Sequence, residues 1–370
     1  MPTNTSTTPE EPKIGQVLRD DFRRVNFKRT LPKDYAELKE FFIDDARKTR
    51  LSEMNRVKRW LYTGAWLLKS LFLKLTPARR ALFTIGIISL LISNSFDCSN
   101  GNVNIEIRTS ILTSMILLFI LMLELKDKLI AHSELEEGKA VQAALMPEKS
   151  PHVSGWSLFL FTKTANEVGG DLVDFQQIGT DRYIVSLADV AGKGLKAALV
   201  TAKLQSTLRA IAPESTSLSQ LATKINAVLH RDTIRTMFAS LVCIEFAPES
   251  GLVRLINAGH LPPVHVTASG IKEMSKGDPA IGIFPEVSYT EQQLELQRGD
   301  TLLVYSDGLP DAKNVNGEFF GTTRLFDILQ RSSGLASDEI AEHILSSVNH
   351  FIGEAKVYDD LSMIVMKRIM

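Results

Sequence analysis

The chain has 370 residues, more than one domain usually holds, and at about 150 residues per domain it has room for two or three units. Its 42 Lys and Arg balance 43 Asp and Glu, so there is no overall field to gather nucleic acid and any charge argument must be local. Two cysteines, Cys98 and Cys243, exclude a disulfide framework; Cys243 sits in the apolar run Leu241–Phe246 and reads as a buried strand residue.

Residues 1–55 form a polar N-terminal region whose first 16 residues, rich in Thr, Pro and Glu, read as a disordered tail. No apolar stretch follows the start, so nothing there resembles a signal peptide. Residues 56–80 carry seven Lys or Arg and no acidic residue, interleaved with Trp60, Leu61, Tyr62, Trp66, Leu67, Leu68, Leu71, Phe72 and Leu75. Such a basic amphipathic segment suits the headgroup plane of an anionic membrane, an ordinary surface helix being the alternative. Two apolar stretches follow, over 81–96 and 109–123. Each falls short of the roughly 20 residues that cross a bilayer, so a buried helical hairpin competes with a membrane one. The lack of charge in both runs, the polar 95–108 connection and the cationic flank favour spanning. The reading is a two-helix hairpin over 81–123 in the cell inner membrane, with the N-terminus and everything after the hairpin cytoplasmic.

Residues 124–147 are rich in helix formers, end at Pro147 and read as a helical linker. Leu125, Leu129, His132 and Leu135 or Glu136 make a partial apolar seam of two heptads, which suggests a homodimer through this helix. From 148 to 370 the pattern changes. Strand-like runs at Trp156–Phe161 and Tyr183–Leu187, helices near 196–211 and 218–229, and several strands up to Val304 describe a domain of mixed α and β type.

Four acidic signatures in this last region carry the chemistry. They are Glu167-Val168-Gly169-Gly170-Asp171, Ala188-Asp189-Val190-Ala191-Gly192-Lys193-Gly194, Tyr305-Ser306-Asp307-Gly308 and Asp359-Asp360-Leu361-Ser362. Each puts an Asp at the end of an apolar run, beside Gly or another Asp. Any one of them is explained by turn chemistry. Together, carboxylates at strand ends can converge, and clustered hard oxygens hold Mg²⁺ or Mn²⁺, which is the outline of a two-metal hydrolase. Gly192-Lys193-Gly194 is not a nucleotide-binding loop, because such a loop needs Gly where Leu187 stands and Ser or Thr where Gly194 stands.

With these motifs in order, residues 134–370 resemble the bacterial branch of the metal-dependent serine/threonine protein phosphatases, the type 2C superfamily, in the group typified by sporulation protein E and the sigma-factor regulator phosphatases. The resemblance extends to a linker ending in Leu145-Met146-Pro147, the turn Asn257-Ala258-Gly259-His260-Leu261-Pro262-Pro263, Gly299-Asp300, and Gly317-Glu318-Phe319-Phe320-Gly321. It implies an α+β fold, a β-sandwich of two antiparallel sheets flanked by helices, here preceded by the membrane hairpin and the helical linker. It also implies two Mn²⁺ or Mg²⁺ ions, with Asp189 bridging them, Val190 offering its backbone carbonyl, and Asp171, Asp307 and Asp359 completing the ligands. Gly169, Gly170 and Gly308 would then let the backbone approach the ions and adopt dihedrals closed to other residues.

Eukaryotic members carry a His two residues after the bridging Asp, where this chain has Ala191. His260 and Lys193 remain as proton-donor candidates, although His260 is explained as well by satisfying its own turn and Lys193 by solvation. Asp311 and Asp174 lie near the motifs, where a supporting or surface role accounts for them. The implied substrate is a phosphoserine or phosphothreonine protein, an anti-sigma-factor antagonist. A catalytically silent scaffold that binds a phosphoprotein is the alternative.

Overall fold

The computed structural model describes Leu51 and residues 54–93, 109–234, 236–332 and 334–370; the expected disordered tail, the 95–108 connection and Cys98 lie outside them. The chain divides into two units, Met1–Lys128 and Leu129–Met370.

In the first unit, α1 spans Arg56–Lys74 and α2 spans Pro77–Ser93. The basic segment therefore ends earlier than its charges suggest, and Arg79 and Arg80 belong to the next helix. Pro77 sets this boundary: it disfavours helical backbone at Thr76 and, lacking an N–H, fits the first helical position. The helix α3, Thr109–Ala144, joins the second apolar run and the linker in one 36-residue element. It ends just before Pro147, as expected of a residue that cannot continue a helix.

The α2 helix runs antiparallel to the start of α3. Arg79 bonds Glu124 at 2.7 Å and Asp127 at 2.6 Å, and two turns further on Gly86 lies against Ile116 and Leu117. The pair is a helical hairpin, but among the described residues no helix is long and apolar enough to cross a membrane. Ile85, Ile87 and Ile88 on α2, and Met115, Leu118, Phe119, Leu121 and Met122 on α3, are nevertheless exposed.

The second unit contains two five-stranded antiparallel sheets. One has the order β1-β10-β9-β6-β7, with β1 Trp156–Lys163, β6 Val264–Thr267, β7 Gly270–Glu273, β9 Thr301–Tyr305 and β10 Leu361–Arg368. The other has the order β2-β3-β4-β5-β8, with β2 Asp171–Ile178, β3 Arg182–Val190, β4 Ala239–Phe246, β5 Leu252–Ala258 and β8 Gln292–Glu295. Helices α4 Leu195–Ile211 and α5 Leu218–Asp232 cover the second sheet; α6 Gly321–Arg331 and α7 Ser337–Ile352 cover the first.

Three apolar layers result, because strand side chains alternate between faces. On β3, Ile184 and Ala188 pack with Leu204, Leu208, Leu221 and Ile225 of the helices. Val185 and Leu187 point the other way, into a layer shared with Leu158 and Leu160 of β1, Val304 of β9 and Ile364 of β10. The outer face of the first sheet, through Leu303, Met363 and Val365, packs on Leu325, Ile340 and Ile344. Cys243 is buried as the sequence indicates, and burial pushes its thiol up to about 12.

Candidate functional site

The same alternation places the acidic residues. Leu187 faces the layer between the sheets, so Asp189, two residues on, has its side chain on that side; Val173 does the same for Asp171. The β2–β3 register sets Asp171 directly opposite Asp189. Like charges facing one another across a strand pair destabilise a sheet, so this juxtaposition calls for a neutralising partner.

The other sheet brings its acids to the same end. Asp307 follows β9 and Asp359-Asp360 precedes β10. Those strand ends are stitched together by Ser306 N donating to Ser362 O at 3.0 Å and Ser306 Oγ donating to Asp360 O at 3.2 Å.

The carboxyl groups grade from buried Asp171, through half-buried Asp189, to exposed Asp307 and Asp359. Burial first, and the Asp189 charge second, hold Asp171 well above the carboxylate range; its buried Oδ2 has no hydrogen-bond partner among the described residues. Asp189 is pushed up to about 6 by burial and then by the charges of Asp307, Asp359 and Asp360. Asp307 is also raised, by burial, then Asp359 and Asp311. The Lys193 ammonium donates to Asp359 Oδ2 at 2.9 Å and to the Tyr358 carbonyl at 2.6 Å, and is the cation nearest this acidic end. Among the described residues no three His, Cys, Asp or Glu side chains form a ready-made cage for a metal ion. Mutual repulsion accounts for the spread, and the donor set fits a hard divalent cation: all oxygen, like-charged, with one orphaned buried oxygen.

The glycines work differently from expectation. Gly169, Gly170 and Gly308 are not among the residues with left-handed φ; what they supply is space. A Cβ on Gly308 would lie 1.9 Å from the Asp360 carbonyl oxygen, one on Gly169 would lie 2.6 Å from Asp360 Oδ2, and one on Gly170 3.2 Å from the Val190 carbonyl oxygen. The close approach is thus to Asp360 and Val190, atoms of the protein itself.

Asp360 is a functional residue that the sequence reading passed over. Buried, it accepts from Ala165 N at 2.7 Å, Gly170 N at 2.7 Å and Asp171 N at 3.3 Å, and so ties the Gly-Gly-Asp loop of one sheet to the end of β10 in the other. Its signal was the doubled Asp of the last motif. Gln142 is another. From the end of α3 it donates to the Gly169 carbonyl at 3.0 Å and accepts from Gly169 N at 3.1 Å, holding the peptides on both sides of Gly169. A single Gln on a helix offers no such signal.

The remaining candidates separate. Val190 buries its side chain beneath the helices, and its N–H donates to Gly170 O at 3.3 Å. Asp311 caps the turn after Asp307, its N–H donating to Asp307 O at 2.8 Å. Asp174 is buried in an ion pair with Arg209 at 2.6 Å and accepts from Gln205 at 3.1 Å, so its role is to fix α4 on β2. His260 accepts from Leu261 N at 2.8 Å through Nδ1, the turn-satisfying role, while its buried Nε2 has no partner among the described residues. Burial holds it down at about 4, so near neutral pH it is an uncharged imidazole rather than an acid.

Two antiparallel sheets between helix pairs, with carboxylates gathered at one end of the layer between them, define the class as the protein phosphatase 2C fold. The SiaA-PP2C domain of Pseudomonas aeruginosa superposes with a TM-score of 0.58, covering 65% of this chain and 98% of that one at 19% identity, a likeness of fold. Residues 179–369 match the family described as Stage II sporulation protein E (SpoIIE), and the chain belongs to that family. It is 30% identical over 273 residues to Protein IcfG of Synechocystis sp., spanning 66% of this chain but only 43% of that protein. It is 22% identical over 238 residues to the phosphoserine phosphatase RsbU of Bacillus subtilis, spanning 64% of this chain and 70% of that protein.

Proposed function

We propose that this chain is a metal-dependent protein serine/threonine phosphatase whose ions are held by Asp171, Asp189, Asp307, Asp359 and the Val190 carbonyl. The observation that carries this is the like-charged Asp171–Asp189 pair, fixed by strand register and joined by Asp307 and Asp359, with Asp171 Oδ2 left without a partner. Two bound divalent cations would supply a water of lowered pKa and positive charge for the phosphoryl oxygens. The chain's own residues do the rest. Asp360 holds the Gly169–Asp171 loop in place, Lys193 orients the Asp359 carboxylate, and the buried Asp171 side keeps the open end of the site at Asp307 and Asp359. Mn²⁺ and Mg²⁺ both suit this donor set.

A relative named as a phosphoserine phosphatase supports a phosphoserine substrate. The resemblance of the motifs supports a phosphorylated anti-sigma-factor antagonist as that substrate. Exposed Leu125 and Leu129 on α3 support a homodimer through the linker, although His132 turns aside to Glu136 at 3.4 Å and Glu167 at 3.6 Å. The exposed apolar faces of the hairpin and the basic α1 support attachment to the inner membrane, with residues 148–370 on the cytoplasmic side. The deciding experiment is phosphate release from a phosphoserine protein with and without Mn²⁺. Turnover that survives EDTA, or that survives Asp189→Asn at saturating Mn²⁺, would refute the metal assignment; binding without turnover would leave the silent scaffold.

A further inference from the structure

Beside the acidic end, a cleft of about 240 Å³ opens between the turn after β9 and the segment leading into β10. It shares Gly308 and Asp359 with the site, so whatever lies in it is continuous with a group held at the carboxylates. Its rim is basic and aromatic. Lys193, Lys313 and Lys356 line it with Phe319 and Tyr358, residues that are 52% and 61% exposed.

The lysines are held in different ways. Lys193 is already committed to Asp359. The Lys313 ammonium lies 4.7 Å from the Phe319 ring centre and 5.8 Å from that of Tyr358. Aromatic faces hold an ammonium without supplying a countercharge, so the Lys313 ammonium sits in a set position beside the rings. Among the described residues neither Lys313 nor Lys356 is in an ion pair. The acids of the cleft, Asp311 and Asp359, belong to the side facing the metal ligands: Asp359 is one of them, and Asp311 caps the turn at Asp307. The outer part of the cleft is left with unneutralised positive charge on an exposed apolar floor.

Resting on the phosphatase reading, we infer that this cleft receives acidic residues flanking the phosphorylated serine or threonine of the substrate protein. Their carboxylates meet Lys313 and Lys356 while their backbone lies along Phe319 and Tyr358. The occupant is an acidic peptide segment because the cleft's free charge is positive, its outer surface is partly apolar, and it opens directly onto the point where the phosphoryl group must sit.

The test compares two phosphoserine peptides, one with Asp and Glu flanks and one with Lys flanks, on the full chain at fixed Mn²⁺. The acidic peptide is expected to show a kcat/KM about tenfold higher, carried mainly by KM, from two exposed charge contacts. Lys313→Glu and Lys356→Glu together should bring that ratio to one or invert it, and raising the salt to about 0.5 M should shrink it, since exposed charges are screened. Equal kcat/KM for the two peptides, or a ratio that both charge reversals leave intact, overturns the inference. A small aryl phosphate, which carries no acidic or basic flanking residues, reports on the phosphatase reading alone. If it and both peptides resist hydrolysis, that reading has failed, and anisotropy titration with non-hydrolysable phosphonate versions of the two peptides still decides. Tighter binding of the acidic one that is lost in the double variant upholds the cleft, and equal binding refutes it.

Discussion

Replacing Asp189 with Asn should raise the stability of the metal-free domain while abolishing turnover. The Asp189 carboxyl titrates at about 6 in the folded chain against 3.8 for a free side chain. A carboxyl raised in this way costs the fold nothing well below 3.8, where it is protonated in both states, and its penalty grows as the pH rises and is complete once the pH has passed about 6. The shift of about two units corresponds to about 3 kcal/mol, an upper value for a half-buried group. Asn keeps the shape and removes the charge. In EDTA at pH 8 the variant should therefore melt higher than the parent, by at most roughly 6–12 °C at 2–4 °C per kcal/mol for a domain of this size. At pH 4, where most of the penalty is gone, the two should melt within about 1–2 °C of each other. Added Mn²⁺ should stabilise the parent strongly and the variant little, because binding to the folded state alone stabilises it by mass action. Differential scanning fluorimetry over pH 4–8, with and without Mn²⁺, reads all of this on one plate. A variant that melts below the parent at pH 8 in EDTA, or a difference that does not change with pH, would refute the account of the acidic end as repulsion awaiting cations.

Three further outcomes follow from particular contacts. Gly308→Ala puts a Cβ 1.9 Å from the Asp360 carbonyl oxygen, a backbone atom that cannot swing away, so soluble yield and Mn²⁺-dependent stabilisation should both collapse; a normally melting, active variant would show that the loop has slack. Gln142→Ala removes both bonds to the backbone of Gly169 and should cost about 1–3 kcal/mol in urea unfolding, together with weaker Mn²⁺ affinity by calorimetry, because the freed loop carries Asp171. An Mn²⁺ affinity equal to the parent's would separate Gln142 from the site. Asp174→Ala should destabilise by about 1–3 kcal/mol, through loss of its hydrogen bonds to Arg209 and Gln205, while kcat per folded molecule stays near the parent value; a selective loss of kcat would place Asp174 in the chemistry after all.

Much of the site was legible because its signals are local. Asp beside Gly or Asp at the end of an apolar run marks a strand end, and four such marks in family order named the four carboxylates. Pro147 likewise fixed where α3 stops, and Pro77 was available in the same way to place the α1–α2 boundary, which charge alone put too late. The near-continuous apolar runs of β1 and β3 marked them as strands. What the chain order could not show is which strand lies beside which. Only the β2–β3 register sets Asp171 against Asp189, and only the meeting of the two sheets brings Asp307 and Asp359 to the same end. The glycines illustrate the difference. From sequence they read as freedom of dihedral, yet Gly169 and Gly308 are required because Asp360, about 190 and 50 residues away along the chain, occupies the space a Cβ would take. Gln142 was silent for the same reason, and the doubled Asp that marks Asp360 does not say what it bonds: a hydrogen bond to a distant backbone exists only once tertiary packing has closed the distance.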